Sequence, residues 1–251
     1  MSEQRSQKVL LVFDFDHTLI DENSDEYVTR LAPGGQLPEE IKNLYEEDGW
    51  TDYMAEIFRY LHKNGCTPES MLSFMSNIPL TQGMRELLDI TSANKSFDHI
   101  IISDANSAFI QHLLQVLGLS AVIKEVFTNP AEFDDKGCLT IKRYHTQDWC
   151  TLSTVNLCKG HILKTFIEKQ ESEGVDYRHI IYVGDGYNDL CPALTLRSQD
   201  VVMPRVGFKL LKLIDRMTNK NKPVKRTELK AAVVPWETGL DILKHIQSLE
   251  Y

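Results

Sequence analysis

The chain has 251 residues, 42% hydrophobic and 25% charged, enough to bury one sizeable core or a core with a small satellite domain. A net charge of -9 excludes nucleic acid or an anionic membrane as the main partner, since both demand a basic surface, and points to a small substrate. The start, MSEQRSQKV, has no apolar signal region and no stretch approaches the ~18 apolar residues of a membrane span, so the expected address is cytoplasmic.

In chain order, apolar β-rich runs recur at KVLLVF (8–13), FDHIII (97–102), VIKEVF (122–127), HIIYV (179–183), DVVM (200–203) and AAVV (231–234). Runs buried on both faces and separated by helical patterns predict an α/β fold with a mostly parallel, Rossmann-like sheet. Residues 22–80 break the rhythm. LPEEIKNLYEEDG (37–49), WTDYMAEIFRYLHKNG (50–65) and TPESMLSFMSN (67–77) read as helices, the last with Thr67 as N-cap and Pro68 at the first helical position. The spacing therefore predicts an α/β core over 1–21 and 81–251 with a helical insertion over 22–80. SDANSAFIQHLLQVLG (103–118) predicts a loop opening at Ser103 and then a helix stopping at Gly118, and DDKGCLTIKRYH (134–145) a turn at Lys136-Gly137 with a short hairpin strand.

In an open parallel sheet the ligand sits outside the carboxyl ends of the strands. Those ends carry Asp14-Phe15-Asp16-His17-Thr18, Ser103-Asp104 and Gly184-Asp185-Gly186-Tyr187-Asn188-Asp189, while Cys158-Lys159-Gly160 opens a helix. Several carboxylates at one edge stay ionised together only around a cation, and all-oxygen ligation favours Mg2+. Asp14 and Asp16 can both face the crevice while Phe15 returns to the core. One carboxylate can attack phosphorus while the other serves the leaving oxygen as acid and the hydrolytic water as base, which implies an aspartyl phosphate on Asp14. Lys159, the Ser103 hydroxyl and backbone N–H groups after Asp16 and Ser103 would offset the phosphoryl charge.

DFDHT, Ser103, Lys159 and GDGYND resemble, in order, the four motifs of the haloacid dehalogenase (HAD) superfamily of phosphatases. The resemblance implies Asp14 as nucleophile, Asp16 as acid/base, Mg2+ on Asp14, the Asp16 carbonyl and Asp185, support from Thr18 and Asp189, and residues 22–80 as a helical cap. FDFDHTLIDENSDEYV, FRYL with Gly65, ISDAN, FTNP, YHT, NLCK, YVGDGYND with Cys191-Pro192, VVMPR and VVPWE are similar to the family that includes phosphoethanolamine/phosphocholine phosphatase and pyridoxal phosphate phosphatase. That likeness implies a Mg2+-dependent phosphomonoesterase and assigns substrate binding to Asp25 and Asp104. WTDYMAEIFRYL, VFTNPAEF and DVVMPRVGF lie nearer the pyridoxal phosphate branch, with the amino-alcohol esters as alternative. A different class, a signalling module phosphorylated on Asp14, has no need of Asp16.

Tyr27, Trp50 and Tyr53 can stack on a pyridine ring or cradle a quaternary ammonium. His17, His145 and His161 read as structural. Five cysteines give neither a disulfide framework nor a full zinc set, with Cys150 and Cys158 the near pair. The family usually carries C-x2-C-x4-C before its Lys, and here Ser153 fills the middle position; the position of Tyr187 is usually small.

Overall fold

A computed structural model describes residues 6–46, 49–218 and 229–249; the start MSEQR and residues 47–48 of the predicted 37–49 helix lie outside them. Along the first strand, β1 (Ser6–Phe13), Val9, Leu11 and Phe13 enter one apolar cluster while Leu10 and Val12 enter another, as the two-residue period of a strand requires. The helices α1 (Ser24–Tyr27), α2 (Glu39–Lys42), α3 (Trp50–Lys63), α4 (Pro68–Met75) and α5 (Met84–Ser92) follow. Next come β2 (Phe97–Asn106), α6 (Ser107–Val116), β3 (Glu125–Asn129), and the strands β4 (Ala131–Phe133) and β5 (Leu139–Ile141). The chain continues through α7 (Lys159–Ser172), β6 (Val175–Gly184), α8 (Leu190–Ala193), β7 (Val201–Pro204), α9 (Lys209–Thr218), β8 (Ala232–Val233) and α10 (Gly239–Ser248).

Six strands form one parallel sheet in the order β3-β2-β1-β6-β7-β8, the α/β architecture expected, and β4 pairs antiparallel with β5 in a separate hairpin turning at Gly137. Phe13 stands opposite Ile101 on β2 and Val183 on β6, so β1 and β6 end nearly level while β2 runs on to Asn106, and all three leave the sheet at one edge. One face packs on α5, α6 and α10 through Leu87, Phe109 and Ile242; the other packs on α7 and α9 through Leu163 and Ile214.

Between Ile20 and Leu80 the described residues contain helices and no strand. Met54, Ile57, Phe58 and Leu61 lie on one buried face of α3, and Phe58 meets Phe109 edge-on with ring centroids 5.7 Å apart. Thr67 caps α4 through reciprocal bonds with Ser70, with Pro68 at the first position as expected. The base of this excursion is closed by an Ile20–Leu80 bridge and by bonds from Asp21 N–H to the Pro79 carbonyl and Thr81 N–H to the Leu19 carbonyl.

Three expectations need correction. Only Glu39–Lys42 of the 37–49 segment forms a helix among the described residues, because beyond Ile41 its apolar residues Leu44 and Tyr45 are exposed and offer no buried stripe. The third strand starts at Glu125 rather than Val122, since Val122 and Ile123 are turned back by bonds to the Leu119 carbonyl. Ser103 does not open a loop: β2 runs on to Asn106, held by Asn129 Nδ2 donating to the Asp104 and Ala105 carbonyls at 2.6 and 3.0 Å, and Asn106 caps α6 instead.

The starts of α5 and α10 touch backbone to backbone, with Gly239 N–H on the Gln82 carbonyl at 2.8 Å. A Cβ at Gly239 would stand 2.4 Å from the Gly83 carbonyl carbon. Gly239→Ala is expected to lose about 1–3 kcal/mol by overpacking, read as a lower urea midpoint at unchanged slope.

Candidate active site

β1 delivers Asp14 to the sheet edge, where its N–H is fixed on the Val183 carbonyl at 2.9 Å and its carboxylate accepts from Phe15 N–H at 2.7 Å. The chain then turns through Phe15–Leu19 with Phe15 and Leu19 buried, so Asp14 and Asp16 both line one cavity of about 450 Å3 while Phe15 points inward, as expected. His17 sits at φ 52°, a left-handed conformation that a non-glycine residue adopts at a cost. Arg205 holds it there: one guanidinium nitrogen donates to the His17 carbonyl and another to Asp21, each at 2.6 Å, and the guanidinium stacks over Phe208 and Trp236.

Under the cavity floor lies Lys159, the first residue of α7 and wholly buried. Its Nζ is 2.9 Å from Asp14 and 2.8 Å from Asp189. Burial alone would push this ammonium down, but the two carboxylates outweigh that and hold it above its ordinary value. Asp189 is bound on every side: one oxygen takes Lys159 and the Tyr182 hydroxyl at 2.7 Å, the other takes Asp185 N–H and Gly186 N–H at 3.0 and 2.8 Å. The glycines of GDGYND make room for Asp189 and for its neighbour Asn188. A Cβ at Gly184 would lie 2.5 Å from the Asp189 carboxylate, and one at Gly186 2.6 Å from Asn188 Oδ1.

Asp14, Asp185 and Asp189 each place a carboxylate oxygen within 4.8 Å of the others, and with Asp189 engaged by its four donors it is Asp14 and Asp185 whose oxygens suit a hard cation. With no cation, burial raises Asp14 well above the carboxylate range in spite of Lys159, and burial with the nearby Asp189 pushes Asp185 up to about 7. Asp16 is raised too, by burial and then by Asp25, although its carboxylate accepts Ser24 N–H at 3.0 Å.

The remaining expected residues fall in two groups. Asp104 faces the same cavity and accepts from Asn188 Nδ2 at 2.8 Å. Asp25 is buried at the start of α1, accepts from Trp50 Nε1 at 2.9 Å and Asn106 Nδ2 at 3.3 Å, and is pushed up to about 7 by burial. Asp25 and Asp104 line a second cavity of about 530 Å3 that shares Asp16, Asn23, Glu26, Tyr187 and Lys209 with the first and reaches Tyr45 and Trp50. Ser103 and Thr18, by contrast, are fully buried and line neither cavity; Ser103 Oγ accepts from Ala105 N–H, and Thr18 Oγ1 has no hydrogen-bond partner. Tyr27 packs on Phe74 and lines neither, whereas Tyr45, Trp50 and Tyr53 cluster edge to face around an adjoining hollow of about 550 Å3. His145 is structural, accepting Cys158 N–H at 2.8 Å.

Arg205, Asn188 and Lys209 were not singled out in the sequence. Asn188 lies inside GDGYND and Lys209 at the start of a helix after VVMPR, so position alone could have flagged both.

A family model described as "Putative Phosphatase" matches residues 9–250. The chain belongs to that family. Over 243 residues, covering 96% of this phosphatase and 98% of its relative, it is 43% identical to a pyridoxal phosphate phosphatase of Mus musculus. It is 36% identical to a human phosphoethanolamine/phosphocholine phosphatase over 250 residues, 99% of this chain and 92% of the other. In fold it is similar to a phosphoserine phosphatase solved in apo form (TM-score 0.62, 19% identity, covering 97% of this chain and 100% of that one). A phospho-aspartyl intermediate analogue of phosphoserine phosphatase matches with a TM-score of 0.61 at 20% identity, covering 95% and 98%. The chain is thus a phosphomonoester hydrolase that shares the fold of the phosphoserine phosphatases, and among its described residues no helix is long and apolar enough to cross a membrane.

Lys159→Met leaves Asp14 and Asp189 buried without their counter-charge. Chemical denaturation in EDTA at neutral pH is expected to show a loss of about 3–5 kcal/mol, shrinking as the pH falls and Asp14 takes up a proton. An unchanged midpoint would mean that the ion pair does not hold the site together.

Proposed function

We propose that this phosphatase hydrolyses small phosphorylated metabolites through an aspartyl phosphate on Asp14, with pyridoxal 5'-phosphate the first choice of substrate. The observation that carries the reading is a carboxylate at the end of β1 bonded to a wholly buried ammonium, at the base of a cavity that continues past Asp16 towards Asp25 and Asp104.

Asp14 supplies the nucleophilic oxygen, and Lys159 favours its ionised form. As the Asp14–phosphorus bond forms, the ester P–O bond breaks and the leaving oxygen takes the proton from Asp16, whose carboxyl burial shifts towards the protonated form. In the second half, Asp16 takes a proton from water, water oxygen attacks phosphorus, and Asp14 is released. Asp14 and Asp185 with the Asp16 carbonyl fit Mg2+ by donor chemistry, while Asp189, all of whose acceptor sites are engaged, holds Lys159 and the loop. When bound, Mg2+ neutralises charge on the carboxylates and the phosphoryl oxygens. Residues 22–80 serve as a cap, contributing Asp25, Tyr45 and Trp50 to the cavity wall and so selecting the leaving group.

Pyridoxal phosphate is supported by the aromatic wall of Tyr45, Trp50 and Tyr53 and by the likeness to the mouse relative. The acids Asp25, Glu26 and Asp104 support the second reading, phosphoethanolamine or phosphocholine, whose amines they would face. The small-metabolite reading goes with a cytoplasmic address.

Phosphate release with Mg2+ from pyridoxal 5'-phosphate, phosphoethanolamine and phosphocholine tests this. The highest kcat/KM is expected for pyridoxal 5'-phosphate, and Trp50→Ala is expected to lower that value by about tenfold, the worth of one aromatic contact, while changing the amino-alcohol esters less. A lead for the esters would reassign Asp25 and Asp104 to amine recognition. Asp14→Asn is expected to abolish turnover with the fold kept, and turnover in that variant would refute the covalent route.

Metal linkage gives a second test. Asp185 lies near 7 in the folded protein against an ordinary value of 3.8, so its proton favours the fold at acid pH and that contribution is lost as the pH rises from about 4 to about 7. Mg2+ takes the proton's place. Its stabilisation is therefore expected to be small at about pH 5 and larger at about pH 8, read as the Mg2+-induced rise in Tm across a pH series; a rise that does not vary with pH would argue against cation binding at Asp185.

A further inference from the structure

Three thiols meet behind the catalytic floor. Cys191 Sγ lies 3.4 Å from Cys150 Sγ and 3.8 Å from Cys158 Sγ, and the three sulfurs lie within 4.8 Å of one another. They come from separate places: Cys150 in the loop before α7, Cys158 as the N-cap of α7, and Cys191 in α8. All are free, at spacings well beyond the about 2.05 Å of a disulfide. Ser153 Oγ sits between two of them, 3.5 Å from Cys150 Sγ and 3.4 Å from Cys158 Sγ.

We propose that Cys150, Cys158 and Cys191 form a thiolate site for a thiophilic cation of the Zn2+ class, with the Ser153 hydroxyl or a water at the fourth position. A tetrahedron built on Zn–S bonds of about 2.3 Å has edges of about 3.8 Å; the Cys158–Cys191 distance of 3.8 Å equals that edge, the Cys150–Cys191 distance of 3.4 Å is close to it, and the third pair lies within 4.8 Å. Soft sulfur donors also separate this site from the all-oxygen carboxylate site, so a hard and a soft cation would each find their own. On binding, each thiol releases its proton to solvent as its S–metal bond forms. The surroundings are built to hold the sulfurs in place. His145 fixes Cys158 through its N–H, and the first turn of α7 lies so close that a Cβ at Gly160 would stand 2.6 Å from Cys191 Sγ. Cys150 is half-buried and gives a way in from solvent, whereas Cys158 and Cys191 are buried.

The position has a consequence for catalysis. Cys158 precedes Lys159, and Cys191 follows Asp189 by two residues, so a cation here would tie together the two segments that carry the Lys159–Asp189 ion pair.

The test uses the full chain, stripped with a chelator under reducing conditions and then titrated with Zn2+ or Co2+ in excess Mg2+. The expected result is one equivalent of Zn2+ bound, a rise in Tm, and a thiolate-to-cobalt charge-transfer absorption with Co2+. Cys150→Ser, at the half-buried position, is expected to weaken Zn2+ binding at least about 100-fold and to remove that absorption; Asp14→Asn keeps both. The proposal fails if no equivalent binds, if Co2+ gives no thiolate absorption, or if binding survives Cys150→Ser and is lost in Asp14→Asn. It fails likewise if the protein isolated without reductant holds a disulfide among these cysteines and no metal. Should Cys150→Ser misfold by circular dichroism, the wild-type absorption and its persistence in Asp14→Asn decide the question alone.

Discussion

The ammonium of Lys159, wholly buried between Asp14 and Asp189, is the interaction on which the site depends. Each of these groups is costly to bury alone, and their mutual attraction is worth its cost only with good geometry and with the remaining acceptors satisfied. That requirement reaches outward. The Tyr182 hydroxyl and two backbone N–H groups complete Asp189, and glycine at 184 leaves the space its carboxylate fills. Lys159 comes from the first turn of α7, so the seating of that helix on the sheet through Leu163 and Phe166 sets the height of the ammonium under Asp14.

Acidity at the open side of the site follows from the same burial. Asp14, Asp16, Asp25 and Asp185 are all raised, with desolvation the largest cause in each. A carboxyl shifted by burial towards its protonated form suits Asp16 as a proton donor, while Asp14 needs the positive charge beneath it to give up its own. The two carboxylates differ because one is bonded to Lys159 and the other to a backbone N–H of Ser24.

Much of this was legible in the order of residues. β1, β2, β6 and β7 announce themselves as apolar runs, and the rule that ligands gather at strand ends brought Asp14, Asp16, Asp104, Asp185 and Asp189 to one edge, where the structure has them. What was not legible depends on partners distant in the chain. Arg205 meets His17 across 188 positions, and nothing near either residue signals the clamp. Cys191 joins Cys158 across 33 positions, so counting cysteines by spacing found a pair where the fold brings three together. Ser103 was misplaced for another reason: a strand end and a helix start share the same polar vocabulary, and only the Asn129 side chain, bonding to the next two carbonyls, decides which it is.

The bridge between Ile20 and Leu80 bears on how such a protein can diversify. Because the two chain ends of the helical excursion are already side by side and bonded, residues can be added between them without moving those ends. Closing a longer loop adds only about 0.6 kcal/mol per doubling of its length. Changes on the cavity-facing side of these helices, away from the face that Met54, Phe58 and Leu61 bury in the core, need not disturb the strand register that aligns Asp14 with Lys159, and selectivity can drift while the chemistry stays where it is.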